Sequence, residues 1–293
     1  MLQKKSYLVF VFIFLFLFAL NTSFAQSIPF YTGRIAISSD GNEHDEDDWA
    51  ATPLTLALLA ANGLQDKLVV YTFSDHIWGS DKEKPGAAAQ MRESAFIGAK
   101  LFGFKKTKFI EAVTAQNFAI IELTTQINSS SAKDPLTIIA AGPMEIVGTA
   151  LNEADSTKLK YVRLISHSTW NDEHADKPYD WEKHTGWTWE KIKEQFEKHG
   201  LQLDHIADQN GGEGYDGLKA NVSKYDWLKN SPSKDKKPFK KGDWDWLYSR
   251  LEAAQKGGEF DPSDAGMIIY LLTGKDKTDP EDVRAMMENP KKY

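Results

Sequence analysis

Arg34-Ile35-Ala36-Ile37-Ser38-Ser39-Asp40-Gly41-Asn42-Glu43-His44-Asp45-Glu46-Asp47-Asp48 is the stretch on which the reading of the fold turns. Arg34 to Ser38 alternates in the manner of a strand, and the nine residues from Asp40 to Asp48 include six carboxylates. At about 4 Å, like charges repel by roughly 1 kcal/mol per pair in water and roughly 4 kcal/mol at an effective dielectric of 20. A folded cluster of this kind therefore calls for a cation, although a solvated acidic surface loop accounts for the composition equally well. An EF-hand loop counted from Asp40 needs Gly at its sixth position and Glu at its twelfth. Asp45 and Ala51 stand there, so that reading fails. An aspartyl-nucleophile phosphatase needs a second Asp two residues after the first, and Asn42 stands in that place.

N-terminal to this stretch, Lys4-Lys5, an apolar run from Tyr7 to Leu20 and Ser23-Phe24-Ala25 follow the basic, apolar, small-residue order of a secretory signal peptide. The run is short of the ~20 residues a membrane helix needs. Residues 1–25 are accordingly predicted as a signal peptide, and 26–293 as a single domain, secreted or periplasmic, with no membrane association after cleavage. The chain has no cysteine, so its stability rests on a packed core. A formal net charge of −7, which becomes more acidic once Lys4 and Lys5 are removed, argues against a nucleic-acid polymer or an anionic membrane as partner. A small-molecule or oligosaccharide substrate is expected, and a homo-oligomer is left open. Seven of the nine tryptophans lie between Trp170 and Trp246, where they serve either as sugar-stacking platforms or as core.

C-terminal to it, strand-like and helix-like runs alternate, which predicts an α/β fold: an open, mostly parallel sheet with helices on both faces. Strands are expected at Arg34 to Ser38, Lys67 to Phe73, Lys106 to Val113, Leu136 to Ala141 and Tyr161 to Ser166. Helices are expected from Thr52 to Ala61, with Pro53 in the first turn, from about Ala87 to Phe102, Asn117 to Ile127, Met144 to Asn152, Trp189 to Lys198 and Ala265 to Thr273. About 167–258 is polar and Trp-rich and reads as an insertion or cap. Asp261-Pro262-Ser263-Asp264 and Asp279-Pro280-Glu281-Asp282 each announce a helix, with an Asp able to cap and Pro in the first turn.

In an open α/β sheet, ligands bind beyond the carboxyl ends of the strands. The segments leaving those ends are Asp40 to Asp48, Ser74 to Trp78, Ala141-Gly142-Pro143 and His167 to Asn171. This makes Asn42, His76, Trp78, His167, Trp170, Asn171 and Glu173 candidates for substrate binding. The plainer reading has Trp78 and Trp170 packed under the cap, Asp47 and Asp48 capping the first helix, and Asp264 as a helix N-terminal charge.

A strand, an Asp, a short Gly-containing loop and Asp47-Asp48 at the head of an apolar helix resemble the signature of the nucleoside hydrolase superfamily. Met91-Arg92-Glu93-Ser94-Ala95 lies where that family has its helix after the second strand. Ile138-Ile139-Ala140-Ala141-Gly142-Pro143-Met144-Glu145 resembles its strand leading into a Gly-Pro turn, and Asp264 lies where a late Asp opens a buried helix. The resemblance implies a bound Ca²⁺ held by Asp40, a bidentate Asp48, the Ala141 carbonyl and Asp264, with Asp47 on a sugar hydroxyl. The acidic motif here is one residue longer than the family's, and Asn42 occupies the position of the family's general base. Because an amide takes no proton from water, Glu43, Asp45 and Asp47 become the catalytic candidates. Ser263 stands where nucleoside-cleaving members often have His. The implied activity is that of an exported Ca²⁺-dependent hydrolase of an N- or O-glycosidic bond in a nucleoside or carbohydrate. The alternative is a non-catalytic, calcium-dependent carbohydrate-binding protein on the same fold.

Overall fold

The computed structural model describes residues 33–41, 46–78, 86–177 and 184–291, so the expected signal peptide and Asn42, Glu43, His44 and Asp45 lie outside the described residues. All described residues belong to the unit Tyr31–Tyr293. Six strands, β1 (Arg34–Ser39), β2 (Leu68–Phe73), β3 (Lys108–Glu111), β4 (Leu136–Ala141), β5 (Val162–Ser166) and β6 (Gln202–His205), pair in parallel in the order β3-β2-β1-β4-β5-β6. Every residue of β4, Leu-Thr-Ile-Ile-Ala-Ala, is buried, as a central strand covered on both faces requires. The strand order reverses between β1 and β4, which opens the crevice where α/β sheets hold ligands. In register, Ser39 lies opposite Ala141, so Asp40 and Gly142 leave the sheet side by side.

Alternate side chains of the strands feed two cores. Ile35, Ile37, Tyr71, Phe73, Ile139 and Ile165 point to one face, while Ala36, Val70, Ile138, Ala140 and Leu164 point to the other. On the first face lies α1 (Asp48–Ala61), all fourteen residues of which are buried, with α2 (Ala87–Arg92), a π-helical turn Glu93–Ile97 and α3 (Gly98–Phe102) beside it. The second face is covered by α4 (Ala112–Asn128), α5 (Glu145–Glu153) and, from beyond α6 (Thr169–Glu173), α7 (Trp189–Phe196). A two-stranded ribbon of β7 (Ala220–Asn221) and β8 (Glu259–Phe260) brackets α8 (Trp227–Asn230) and α9 (Asp243–Ala253), after which come α10 (Gly266–Thr273) and α11 (Pro280–Glu288).

Four expectations are corrected. The first helix begins at Asp48 rather than Thr52, and Pro53 sits inside it. Pro53 has no N–H to offer the Trp49 carbonyl. The buried Ser94 hydroxyl donates to that carbonyl instead (2.6 Å) and itself accepts from Arg250 Nε (3.0 Å). A sequence window around Pro53 shows neither partner. The third strand is shorter than Lys106 to Val113, and the helix after it starts at Ala112 but breaks at Ala115 (φ −141°, ψ 43°), so its regular part begins close to the expected Asn117. Within about 167–258, Gln202–His205 is the sixth strand of the main sheet. Tyr225, Trp227, Leu228, Trp244 and Leu247 in the same range belong to the core shared with α1. The range thus completes one sheet edge and one helical face, and Trp189, Trp227 and Trp244 are core side chains rather than platforms.

Candidate functional site

Three carboxylates converge at the switch point. Asp40 extends from β1, Asp48 is the first residue of α1, and Asp264 lies in the 3₁₀ turn Ser263–Ala265 that leads into α10. Each offers a ligand oxygen, and these oxygens all lie within 4.8 Å of one another, the one such group among the described residues. Asp40 and Asp48 are 4% and 2% exposed. At that separation the repulsion is roughly 3–4 kcal/mol per ionised pair at an effective dielectric of 20, a cost that a bound cation would reverse.

Backbone geometry holds the acids in place. The Asp40 N–H donates to the Ala141 carbonyl (3.2 Å), extending the β1–β4 ladder by one residue and leaving that oxygen a second lone pair. A Cβ on Gly142 would lie 2.8 Å from Asp40 N, and one on Gly41 would lie 2.1 Å from Asp48 Cβ, so both turns admit only glycine at this spacing. Asp48 accepts from Ser39 Oγ (2.9 Å) and from the Gly41 N–H (2.7 Å). Those bonds orient its carboxylate towards the end of β1, and no side-chain cap is made by Asp47. The helix-capping reading of this pair is therefore not what the fold uses. Tyr71, pushed up by burial and by the Asp48 charge, stays protonated and shares a hydrogen bond with Thr52 (2.8 Å) beneath the site.

A cavity of about 230 Å³ opens over the cluster, bordered by Asp40, Asp47, Asp48, Asp261, Asp264 and, among others, Trp170 and Asn171. A larger groove of about 790 Å³ between α5 and α7, bordered by Glu145, Trp187 and Lys191, contains no convergence of acids and is set aside on that ground. Asp261 and Asn210 were not expected at the site but border its cavity, together with Ser168, from the expected segment His167 to Asn171, and Ser263. Asp261 accepts from the Ser263 N–H (3.0 Å), and its carboxyl is raised by burial and by the neighbouring Asp264 charge against that bond. Its place in the Asp261-Pro262 pair disguised it as a helix cap.

The other expected residues separate into two groups. Asp47, Trp170 and Asn171 border the cavity, Trp170 at 37% exposure. His167 borders it too, with Nε2 2.9 Å from Asp264 Oδ1. Burial alone would lower its imidazole, but Asp208 and Asp264 outweigh burial and hold it up at about 9. His76 is buried with Nε2 2.6 Å from His174 Nε2, closer than two nitrogens on one metal stand, and reads as a shared-proton hydrogen bond. Trp78 stacks on His184 at 3.9 Å, and Trp170 on His174 at 4.0 Å, so the aromatic residues after β2 and β5 form one cluster beside the cavity. Glu173 faces outward and pairs with Lys177 (2.5 Å). Asn42, Glu43 and Asp45 fall outside the described residues. Asp75, which follows Ser74 in the left-handed region (φ 56°), is fully buried. Burial pushes its carboxyl up to about 7 against hydrogen bonds from Ser38 and Thr72.

No family model matches the chain. The structure is similar to the crystal structure of an inosine-uridine preferring nucleoside hydrolase from Bacillus anthracis, with a TM-score of 0.41 and 13% identity, over 83% of this chain and 82% of that one. In sequence it is similar to Uncharacterized protein P22 of Formosa agariphila, 34% identical over 252 residues, which cover 83% of this chain and 84% of that protein. With that identity across most of both chains, the protein belongs to the family of P22.

Proposed function

We propose that the acidic cavity holds Ca²⁺ and that the protein is an exported, metal-dependent hydrolase of a glycosidic bond, N- or O-linked, in a nucleoside or carbohydrate. The observation that carries this reading is the convergence of Asp40, Asp48 and Asp264 at the sheet's switch point. The donor set fits a hard cation: all three side chains offer oxygen, the Ala141 carbonyl stands at the end of the adjacent strand, and the chain has no cysteine. When bound, the ion would compensate the carboxylate charge, orient vicinal sugar hydroxyls and make a water more acidic.

The chain's own residues carry the remaining tasks. Asp47 and Asn171 border the cavity where they can hold hydroxyls, and Trp170 offers a partly exposed ring face for an apolar sugar face or a planar leaving group. A proton acceptor is needed near the water. Asp47 stands at the cavity, and Glu43 and Asp45, which precede it in sequence, are the other candidates. Asn42, an amide in the same stretch of sequence, is the feature that favours the second reading, a calcium-dependent carbohydrate-binding protein without turnover.

Incubating the mature chain with a panel of nucleosides and oligosaccharides, with calcium and with a chelator, separates the two. Calcium-dependent release of reducing sugar is expected. Turnover that persists undiminished in chelator would break the metal reading. Saturable, calcium-dependent sugar binding with no release from any substrate would establish the binding protein instead.

A further inference from the structure

His167 follows β5 directly and borders the cavity, and both of its ring nitrogens meet protein groups. Nε2 lies 2.9 Å from Asp264 Oδ1. On the opposite side of the ring the Gln209 N–H donates to Nδ1 at 3.2 Å, with Asp208 Oδ1 3.4 Å away. The side chain is 1% exposed, and both nitrogens are committed to protein groups, which leaves no polar atom of the ring for a substrate hydroxyl. We propose that His167 is a positioning residue that holds the Asp264 carboxylate turned into the acidic cluster, and that Gln209 in turn fixes His167. The inference rests on the cation reading above.

Gln209 has the bonding that such a role requires. It is fully buried, its side-chain amide donates to the carbonyls of Ala207 (2.5 Å) and Asp276 (2.6 Å), and its Oε1 accepts from Thr278 Oγ1 (2.5 Å). Its backbone carbonyl accepts from the Leu218 N–H (2.8 Å). A Cβ on Gly266 would stand 2.3 Å from Oε1, so the first residue of α10, two after Asp264, packs directly on this amide. The imidazole, the turn that carries Asp264 and the loop after β6 meet at one saturated node. A carboxylate free to rotate loses rotamer entropy when it ligates, whereas one already held by an imidazole N–H does not. Outer-shell partners of this kind are typically worth about 10–100-fold in metal affinity. Nε2 carries a proton towards Asp264 in either form of the ring: the neutral ring accepts the Gln209 N–H at Nδ1, and the imidazolium donates there to Asp208 instead.

Calcium titrated calorimetrically into the full mature chain tests this with two variants. His167→Phe keeps a ring of similar size without a donor, and His167→Gln restores a donor at a similar reach. His167→Phe is expected to weaken calcium binding about 10–100-fold, and His167→Gln to recover most of the loss. Unchanged affinity in His167→Phe, or a Gln variant no better than Phe, overturns the positioning role while leaving the cation reading intact. A wild-type chain that binds no calcium overturns both. Nitrogen-15 histidine spectra of the calcium-loaded wild type provide a readout even where His167→Phe does not fold: a protonated Nε2 is expected, and an unprotonated one overturns the proposal.

Discussion

Asp261-Pro262-Ser263-Asp264 and Asp279-Pro280-Glu281-Asp282 share the pattern D-P-x-D, and each opens a helix near the C-terminus, yet their acids are used differently. In the second, Asp279 Oδ1 accepts from the N–H groups of Glu281 (2.9 Å) and Asp282 (3.1 Å), and Asp282 Oδ2 accepts from the Asp279 N–H (2.9 Å), closing a capping box. In the first, Asp261 bonds only the Ser263 N–H among capping contacts, the helix starts through a 3₁₀ turn, and the Asp264 carboxylate turns to His167 and the Asp40–Asp48 pair. Local chemistry, an acid at the positive end of a helix, is the same in both. The difference lies in what surrounds each turn. One faces Lys275 and solvent, and the other faces the carboxyl end of a parallel sheet where two more acids already converge.

The sharpest way to break this comparison is to neutralise the matching acid in each motif. Asp264→Asn is expected to lose calcium binding and to lower any hydrolytic rate by roughly three orders of magnitude, about 4 kcal/mol. Asp282→Asn should bind calcium as the wild type does. Asp48→Asn should match Asp264→Asn and also lose stability by roughly 1–3 kcal/mol, because a single amide oxygen cannot accept from both Ser39 Oγ and the Gly41 N–H. The measurement is calorimetric calcium titration with thermal unfolding in calcium and in chelator. A wild type at about 100 Kd of calcium gains roughly 2.7 kcal/mol. That gain should survive in Asp282→Asn and vanish in the other two. Full calcium occupancy in Asp264→Asn would make both motifs caps and end the distinction.

How far this was legible in the sequence follows the same division between local and distant causes. The strands after which site residues stand are runs of aliphatic residues whose burial needs no partner to be recognised, and β4 is the plainest of them. The three clustered acids were each expected at a metal through the resemblance of their motifs to the nucleoside hydrolase superfamily, whereas their local positions alone fitted helix-terminal charges equally well. The end of β1 bonded to Asp48, the Ser94 hydroxyl under Pro53 and the Gln209 node under His167 are contacts across 9, 45 and 42 residues. The first pair shares one stretch, Arg34 to Asp48, but nothing in the residues marks the bond, and no window contains both partners of the other two. β6 was missed because Gln202-Leu203-Asp204-His205 is an edge strand, polar at three of its four positions, and its place is set by pairing with β5.

Asp75 sharpens the comparison with a third acid at a strand end, one that does not join the cluster. Its Oδ2 takes the hydroxyls of Ser38 and Thr72, while Oδ1 is buried with no hydrogen bond among the described residues, and burial holds the carboxyl at about 7. The folded state keeps this proton while the unfolded chain releases it near the ordinary carboxyl value. Stability therefore falls as pH rises from the unfolded value towards about 7 and is level above it, with a limiting slope of roughly 1.4 kcal/mol per pH unit. Urea unfolding across that window should show Asp75→Asn losing less stability than the wild type, by roughly 2 kcal/mol between about pH 5 and 7. Equal slopes would mean that Asp75 ionises in the folded protein and is partnered.

A smaller effect is expected at the capping box. Asp279→Ala removes the side chain that accepts both amide protons and should cost about 1 kcal/mol, a fall in melting temperature of about 2–4 °C for a domain of this size. Calcium affinity should not change. Asp261→Ala in the other motif removes only one such bond but also takes a carboxylate from the cavity, so its effect should appear chiefly in calcium affinity. A purely thermal effect there would make Asp261 the simple cap that its sequence suggests.

The smallest effect concerns the lysine that marks the second motif as a surface one. Lys275 Nζ lies 2.6 Å from Asp282 and 3.8 Å from Asp279, but the lysine side chain is 47% exposed and that of Asp279 43%. Water and salt screen such a pair, and its worth is a few tenths of a kcal/mol. Lys275→Met should lower stability by about that amount at low ionic strength and by nothing measurable near 1 M salt, where the Debye length is about 3 Å. Asp40 and Asp48, almost wholly buried, have no such shield. Their repulsion in the absence of a cation should persist at the same salt concentration, and chelator should still lower the melting temperature of the wild type there. If high salt removed the chelator effect as it removes the Lys275 effect, the Asp40–Asp48–Asp264 cluster would be screened like a surface loop, and the two motifs would differ in position alone.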